Sequence, residues 1–388
     1  MNKGHPLRRG LTEAAPYNPA MTLHLDVCIR GGGIVGMGLA LQLASQRLRV
    51  GLVAHAAPAV QDVRAYALNA ASRALLTTLR VWPDAHHATP VRRMDIWGDN
   101  GGHLAFDQAD LGCDALAWIV DVPALEQQLH QAIGYQPLIE RLSPESPAPT
   151  AALEVICEGR HSRQRDARGA SLALHPYGQR AIAARLQCDQ PHGGVARQWF
   201  ANGEVLALLP MAGNSLALVW SVSHAHADEL LQLPAPAFEE RLMSASLGTS
   251  HRLTLTSERA SWPLMLGRAS RWVGPGWALA GDAAHCIHPL AGQGLNLGLA
   301  DVAELAKVLA ARSGSDYWRS LGDLRLLRRY ERARQADVAA MAGFTDHLQR
   351  LFAQNDGPWP ALRNGAMRAV ERSGPVKHWL ARQAMGLA

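Results

Sequence analysis

A mixed α/β (α+β) fold is what this sequence predicts, and three observations predict it. A glycine cluster stands between a strand-like run and an apolar helix near the N-terminus. Short strand-like runs follow one another between residues 181 and 222. Near residue 280 a Gly-Asp pair at a strand end opens onto a glycine-rich loop and a long apolar helix. Alternation of strands and helices at both ends argues for a parallel half, and the evenly spaced runs between them for an inserted antiparallel sheet.

Taken in order, Leu23 to Ile29 reads as a buried strand and Leu39 to Ser45 has helical spacing. Leu48 to Val53 is a second apolar strand. These make a βαβ unit. Ser72 to Leu79 and Pro123 to Ile133 read as amphipathic helices, the second with proline at its start. Val91 to Trp97 and His103 to Phe106 flank a Gly98–Gly102 turn and read as a hairpin. Leu142 to Thr150 holds three prolines and reads as a linker. The runs Ala181–Cys188, Val195–Phe200, Val205–Pro210 and Ser215–Val222 suggest an antiparallel meander. From Asp301 onward the pattern is helical.

Composition narrows the function classes. Of 388 residues, 48% are hydrophobic and 18% charged, enough apolar side chain for a packed core. The net charge of +5 suits an anionic cofactor or an acidic membrane surface, and no basic block interleaved with aromatics argues for nucleic acid. Five cysteines, none in a CxxC pair, disfavour a disulfide framework or structural zinc and fit a reducing cytoplasm. No run approaches the roughly 18 apolar residues of a membrane span. Residues 1–21 carry Arg8 and Arg9 without an apolar stretch and read as a disordered extension, with Met21 as an alternative start.

Two motifs carry chemistry. Gly31-Gly-Gly33-Ile-Val-Gly36 matches GxGxxG, with strand before and helix after. Gly31 permits the tight turn, Gly33 lets backbone approach a pyrophosphate, and Gly36 lets helix and strand pack closely. The ribose-binding acid expected at the end of the second strand is replaced by His55, which reads either as a weaker ribose acceptor or as a plain surface histidine. The second motif runs from Trp277 through Gly281-Asp282 and Pro289-Leu-Ala-Gly292-Gln293-Gly294 to Asn296 and Asp301. Asp282 is placed to accept hydrogen bonds from sugar-like hydroxyls. Gly292 and Gly294 let a flat ring lie against backbone, and a helix starting near Asn296 aims its positive end there. His285 and His288 lie in this loop without the acidic or thiol partners of a metal site, so no metal is expected. Arg325 to Arg334 reads as a solvated helix face, with a lipid headgroup contact as the alternative.

With both motifs in view, the sequence resembles the single-component flavin-dependent aromatic hydroxylases, most closely the ubiquinone-biosynthesis hydroxylases of the UbiH/UbiF type. Further support comes from Asp62-Val-Arg64-Ala-Tyr-Ala-Leu68, from Tyr177-Gly-Gln179, Pro191–Ala196 and Ala207–Pro210, and from Leu327–Arg334, Leu351-Phe352 and Ala384–Gly386. The resemblance runs from about residue 22 to the end. Two departures stand out: Glu158 replaces the family's Asp in the segment Glu158-Gly-Arg-His-Ser162, and the span from Tyr135 to Glu158 is short.

The resemblance implies a Rossmann-like FAD-binding domain (22–90, 108–165 and 260–340) with an inserted substrate-binding sheet (91–107 and 166–259) and C-terminal helices (341–388). It implies non-covalent FAD, with NAD(P)H as transient co-substrate. Gly31, Gly33, Gly36, His55, Arg64, Glu158, Gly281, Asp282, Pro289, Gly292, Gly294 and Asn296 would bind the cofactor. His288, Pro289, Gly292, Gln293 and Gly294 would line the flavin ring, and no catalytic base is singled out. The implied reaction is hydroxylation of an aromatic ring with O2 through a C4a-hydroperoxyflavin, on a polyprenylated phenol of ubiquinone biosynthesis. A soluble phenol as substrate, or a catalytically degenerate scaffold of a biosynthetic complex, are the alternatives. Other ubiquinone-biosynthesis proteins or a membrane surface are the candidate partners, in the cytoplasm or at the periphery of the membrane.

Overall fold

A computed structural model describes residues 24–54, 62–98, 101–145, 150–246, 252–287, 293–312, 314, 316–353, 359–374 and 377–378. The expected extension 1–21, His55, His288, Pro289, Gly292 and the stretch Ala384–Gly386 lie outside the described residues.

The parallel half forms as the alternation predicts. Strand Leu25–Arg30 pairs in parallel with Val50–Val53 on one side and with Ala151–Ile156 on the other. Ile139–Leu142 and Trp277–Leu279 extend the sheet outward, and Val273–Gly274 closes it as a hairpin, giving a six-stranded sheet. Helix Ile34–Ser45 is apolar nearly all round because it is covered on every side: its Met37, Leu39, Ala40 and Leu43 are buried between the sheet and helices Val122–Gly134 and Gln293–Ala311. Val122–Gly134 buries Val122, Leu125, Leu129 and Ile133 along one stripe, with proline at its start. Helix Ala70–Thr78 is capped by the Asn69 side chain, which accepts from the Ser72 N–H at 2.9 Å.

The inserted sheet has nine strands. Val195–Ala201, Glu204–Pro210 and Ser215–Ser223 form a meander. The fourth expected member departs from that order. Leu172–Cys188 lies beside Ser215–Ser223, not beside the next strand in sequence. The connection from Cys188 to Val195 therefore crosses the sheet, a Greek-key arrangement. Hairpin strands Arg93–Trp97 and His103–Asp107 join its far edge, where Arg93–Trp97 runs parallel to Val195–Ala201. Ala260–Ala269, in the stretch expected to return to the parallel half, pairs antiparallel with Leu172–Cys188, because its residues continue the cross-strand ladder begun at Leu253–Leu255. Large residues fill one face: Ile182, Leu186, Leu206, Leu218 and Trp220 pack against Leu230 and Phe238 of helices His224–Gln232 and Ala235–Ala245.

A third sheet escapes the sequence reading. Ala65–Leu68, Ala117–Asp121 and Ala88–Val91 form three antiparallel strands between the other two sheets. The run expected as one strand from Val91 to Trp97 thus breaks at Arg92, whose N–H donates to Gly194 O. The C-terminal helix Trp359–Arg372 covers the edge strand His103–Asp107, where the Ala105 N–H donates to Glu371. None of the five cysteines forms a disulfide. Among the described residues no helix is long and apolar enough to cross a membrane.

Candidate active site

The glycine turn sits where the first strand ends. Gly31 has φ +116°, and a Cβ there would lie 2.2 Å from the Cys157 carbonyl oxygen of the neighbouring strand. A Cβ on Gly36 would lie 2.0 Å from the Gly31 carbonyl oxygen, so helix and turn approach as only glycine allows. Gly33 is different: a Cβ there would meet nothing within 4 Å. Helix Ile34–Ser45 begins at Gly33 with no side-chain cap and no acidic residue in its first turn. No described side chain caps its leading N–H groups, and such groups suit an anion.

The Gly-Asp turn abuts this one. Val35, in the first turn of that helix, lies against Gly281 and Gly298, where an added Cβ would come within 3.3 Å and 2.6 Å of it respectively. Gly281 (φ +63°) turns the chain out of strand Trp277–Leu279, and His285–Cys286 then joins the antiparallel sheet. The motif thus bridges two sheets. Asp282 is solvent-accessible, yet burial by surrounding protein raises its carboxyl above the ordinary value, opposed by His285, Arg160 and Arg64. Accessibility together with desolvation puts the carboxyl in a recess. No described residue donates a hydrogen bond to it.

Behind the turn lies a buried network that the sequence reading missed. Asp301, fully buried on helix Gln293–Ala311, accepts from the Gly281 N–H at 2.8 Å, from His285 Nε2 at 2.7 Å and from Arg334 Nε at 2.7 Å. Burial acts to raise the Asp301 carboxyl, but His285 and Arg334 hold it below its ordinary value. Arg334 also donates to Asp337 at 2.6 Å and to the Leu297 carbonyl at 3.3 Å. Trp272 packs on the His285 ring, 5.1 Å between centroids. His285, weighed above as a metal ligand, is instead a hydrogen-bonded core residue.

Three sequence candidates have protein partners of their own. Asn296 spends its side chain on the neighbouring segment: Oδ1 accepts from Asn69 N–H at 3.0 Å and Ser72 Oγ at 2.7 Å, and Nδ2 donates to Ala67 O at 2.9 Å. Glu158 is engaged locally, accepting from Ser162 Oγ at 2.8 Å, while Ser162 caps the next short helix. Arg64 is ion-paired with Asp62, its Nε 2.9 Å from a carboxylate oxygen. That hydrogen bond raises the guanidinium further above its ordinary value. Buried Gln293 and its neighbour Gly294 are already helical in Gln293–Ala311, ahead of the expected start near Asn296.

The comparisons with known proteins match this geometry. A family described as FAD binding domain matches residues 149–345. The Escherichia coli 3-demethoxyubiquinol 3-hydroxylase is 33% identical over 389 residues, 93% of this chain and 98% of that protein. The chain belongs to the FAD binding domain family. A second relative, the ubiquinone hydroxylase UbiL of Rhodospirillum rubrum, is 34% identical over 98% of this chain and 95% of its own length. Two solved structures share the fold. PqsL of Pseudomonas aeruginosa, a probable FAD-dependent monooxygenase, has TM-score 0.74 at 19% identity, covering 89% of this chain and 100% of that one. The p-nitrophenol 4-monooxygenase PnpA of Pseudomonas putida has TM-score 0.75 at 17% identity, covering 93% and 98%. The chain is an FAD-dependent aromatic-ring monooxygenase.

As a member of this family the chain should accommodate FAD, and its residues fit. The uncapped helix start at Gly33 suits a pyrophosphate, and the recessed, unpartnered Asp282 suits a polyol hydroxyl. A cavity of about 140 Å³ lies between the three-stranded and nine-stranded sheets, and its lining Arg64 and Tyr66 are within electrostatic reach of Asp282. Its walls follow from strand alternation. Where Ile182 and Leu206 point to the core, their neighbours Ala181, Ala183 and Ala207 point into the cavity, met from the other side by Ala65 and Ala67. Arg64, Tyr66, Arg197, Gln198 and Trp262 supply its polar groups. Burial raises the Tyr66 hydroxyl above its ordinary value, eased by Arg64 and reinforced by Asp282.

Proposed function

We propose that this monooxygenase hydroxylates the ring of a polyprenylated phenol in ubiquinone biosynthesis. The observation that carries the reading is an alanine-walled cavity of about 140 Å³ whose lining Arg64 and Tyr66 are within electrostatic reach of Asp282. Cavities near 150 Å³ hold a benzene-sized ring. A phenol ring therefore fills it, and a prenyl chain has to run outward. The relatives named for ubiquinone and demethoxyubiquinol hydroxylation support that substrate class.

Gly31, Gly33 and Gly36 would hold the FAD pyrophosphate and Asp282 the ribityl chain. Gln293, Gly294 and the neighbouring His288, Pro289 and Gly292 would line the ring, His55 would lie by the adenosine ribose, and Arg64 by the flavin side. Glu158 and Asn296 would act through backbone position, since their side chains are engaged by Ser162 and by Asn69 and Ser72. When bound, FAD supplies the redox chemistry, taking a hydride from NAD(P)H and activating O2. The chain orients the ring between its two sheets and excludes water from it. The protonated Tyr66 Oη donates to the substrate's phenolic oxygen and so fixes which ring carbon faces the flavin. The division proposed is an FAD-binding part (22–90, 108–165 and 260–340) with an inserted substrate-binding sheet (91–107 and 166–259), except that Ala260–Ala269 pairs within the inserted sheet.

The test is oxidation of NAD(P)H by purified protein, with prenylated phenols set against soluble phenols. Coupled formation of hydroxylated prenylated product is expected. Equal stimulation by soluble phenols would shift the reading to a soluble substrate. Because polyprenylated phenols reside in the bilayer, the same reading places the protein at a membrane surface.

A further inference from the structure

The wall of the cavity between the two sheets carries a buried hydroxyl. Ser221 is only 3% exposed, yet it lines the cavity. Strand alternation sets its direction. On strand Ser215–Ser223, Trp220 and Val222 belong to the core under helices His224–Gln232 and Ala235–Ala245, so Val219 and Ser221 face the cavity. Among the described residues none makes a hydrogen bond with the Ser221 side chain.

The surroundings offer it nothing. Its cross-strand neighbours are Ala181 and Val205. Neither these nor Val219 has a polar side-chain atom, and the strand backbones are spent on the ladder. A buried water makes about three hydrogen bonds, and one held here would be left short of partners. The other polar side chains of the cavity are differently placed. Arg64 is ion-paired with Asp62. Arg197, Gln198 and Trp262 are half-buried, within reach of solvent. Tyr66 stands on strand Ala65–Leu68, in the sheet across the cavity from Ser221.

We propose that Ser221 is a specificity-determining residue: its hydroxyl donates to a second oxygen on the substrate ring, so the phenol that enters already carries a hydroxyl or methoxy group on another ring carbon. A buried hydroxyl without a partner costs free energy, and a ligand oxygen placed against it restores the bond. A ring bearing hydrogen or methyl at that carbon leaves it stranded. Hydroxyl and methoxy oxygens share the acceptor chemistry that a serine hydroxyl recognises. Held at Tyr66 alone, a ring can swing about that bond; held also at Ser221, on the opposite wall, it keeps one orientation toward the flavin. The reaction then has a place in a sequence, because a reaction that puts oxygen on the ring must supply this substrate. The inference rests on the reading of a phenol in this cavity and deepens it, but it does not depend on the prenyl chain.

The experiment is titration of the FAD-loaded full chain with phenol, the methoxyphenol and dihydroxybenzene isomers, and the methylphenols as controls of matching shape, read by the change in flavin absorbance. At least one methoxy or hydroxy isomer should bind roughly 5- to 150-fold more tightly than phenol, and no methylphenol should match it. Ser221→Ala should bring that isomer within about twofold of phenol, and Ser221→Thr, which keeps the hydroxyl, should keep the preference. Unchanged melting temperature checks that the variants fold. Wild-type protein that favours no oxygenated isomer, or a preference that survives Ser221→Ala, overturns the proposal. So does a loss of FAD affinity in Ser221→Ala, since the hydroxyl would then serve the cofactor. A Ser221-dependent preference without turnover of prenylated phenols would refute the prenylated-substrate reading and leave this assignment standing. Turnover of prenylated phenols without that preference would do the reverse.

Discussion

Asp301→Ala should be the most damaging single change that leaves every cofactor-facing side chain in place. It removes the shared acceptor of the Gly281 N–H, His285 and Arg334, three bonds of 2.7–2.8 Å at a fully buried carboxylate. Arg334, itself buried, keeps Asp337 and the Leu297 carbonyl but loses its buried counter-charge. Breaking a buried pair from one side costs about 3–5 kcal/mol, and a stranded N–H about 1–3. The terms overlap, so a loss near 4 kcal/mol is expected, roughly a thousandfold in the folding equilibrium. Urea unfolding followed by tryptophan fluorescence reads it directly, because Trp272 rests on His285. Asp301→Leu/Arg334→Met should recover much of the loss, since an apolar replacement of a buried pair is often neutral. The pH dependence has a definite sign. The folded carboxyl is held below its ordinary value, so it contributes stability above the ordinary carboxylate range and loses it as pH falls through the folded value. The gap between wild type and Asp301→Ala should therefore be full at neutral pH and narrow in acid. A loss under about 1 kcal/mol at neutral pH would refute the claim that this network anchors the Gly-Asp turn.

Other outcomes follow from the same geometry. Gly36→Ala, which sets a methyl 2.0 Å from the Gly31 carbonyl oxygen, should prevent folding or FAD retention, measured by the yellow absorbance of the purified protein. Asp282→Ala should weaken FAD by about 10- to 150-fold, the worth of a charged acceptor for buried hydroxyls, measured by flavin fluorescence titration. Because burial raises the Asp282 carboxyl, its ionisation opposes folding of the cofactor-free protein as pH rises through the raised value; Asp282→Asn should make the FAD-free form more stable at neutral and alkaline pH, read by thermal melting. Ala183→Phe should fill the cavity and abolish substrate-stimulated NAD(P)H oxidation while leaving FAD bound.

The parallel half, the glycine turn and the Gly-Asp turn were legible because local rules act there without competition. Glycine between strand and helix has few other uses, and the burial of Ile34–Ser45 follows from its unbroken apolar run. The strand order of the inserted sheet was not legible, since the ladder joining Leu172–Cys188 to Ser215–Ser223 is a long-range choice. The three-stranded sheet was missed because Ala65–Leu68 and Ala88–Val91 have only four residues each. For Asp301 and Arg334 a signal existed. Asp301 shares a helical stripe with Leu297 and Leu305, and Arg334 one with Tyr330 and Val338. A lone acid and a lone base, each on an otherwise apolar stripe, are a candidate buried pair. The engagement of Glu158 by Ser162 and of Asn296 by Ser72 depends on side-chain direction, which spacing alone does not carry.

The most direct test of the central claim is turnover of a prenylated phenol under isotopically labelled O2, with the product analysed by mass. The account predicts a hydroxylated ring carrying one labelled oxygen atom, formed only with FAD-loaded protein and NAD(P)H, and lost when Asp282→Ala loses FAD. A product whose new oxygen comes from water, or NAD(P)H oxidation that the phenol does not stimulate, would contradict it.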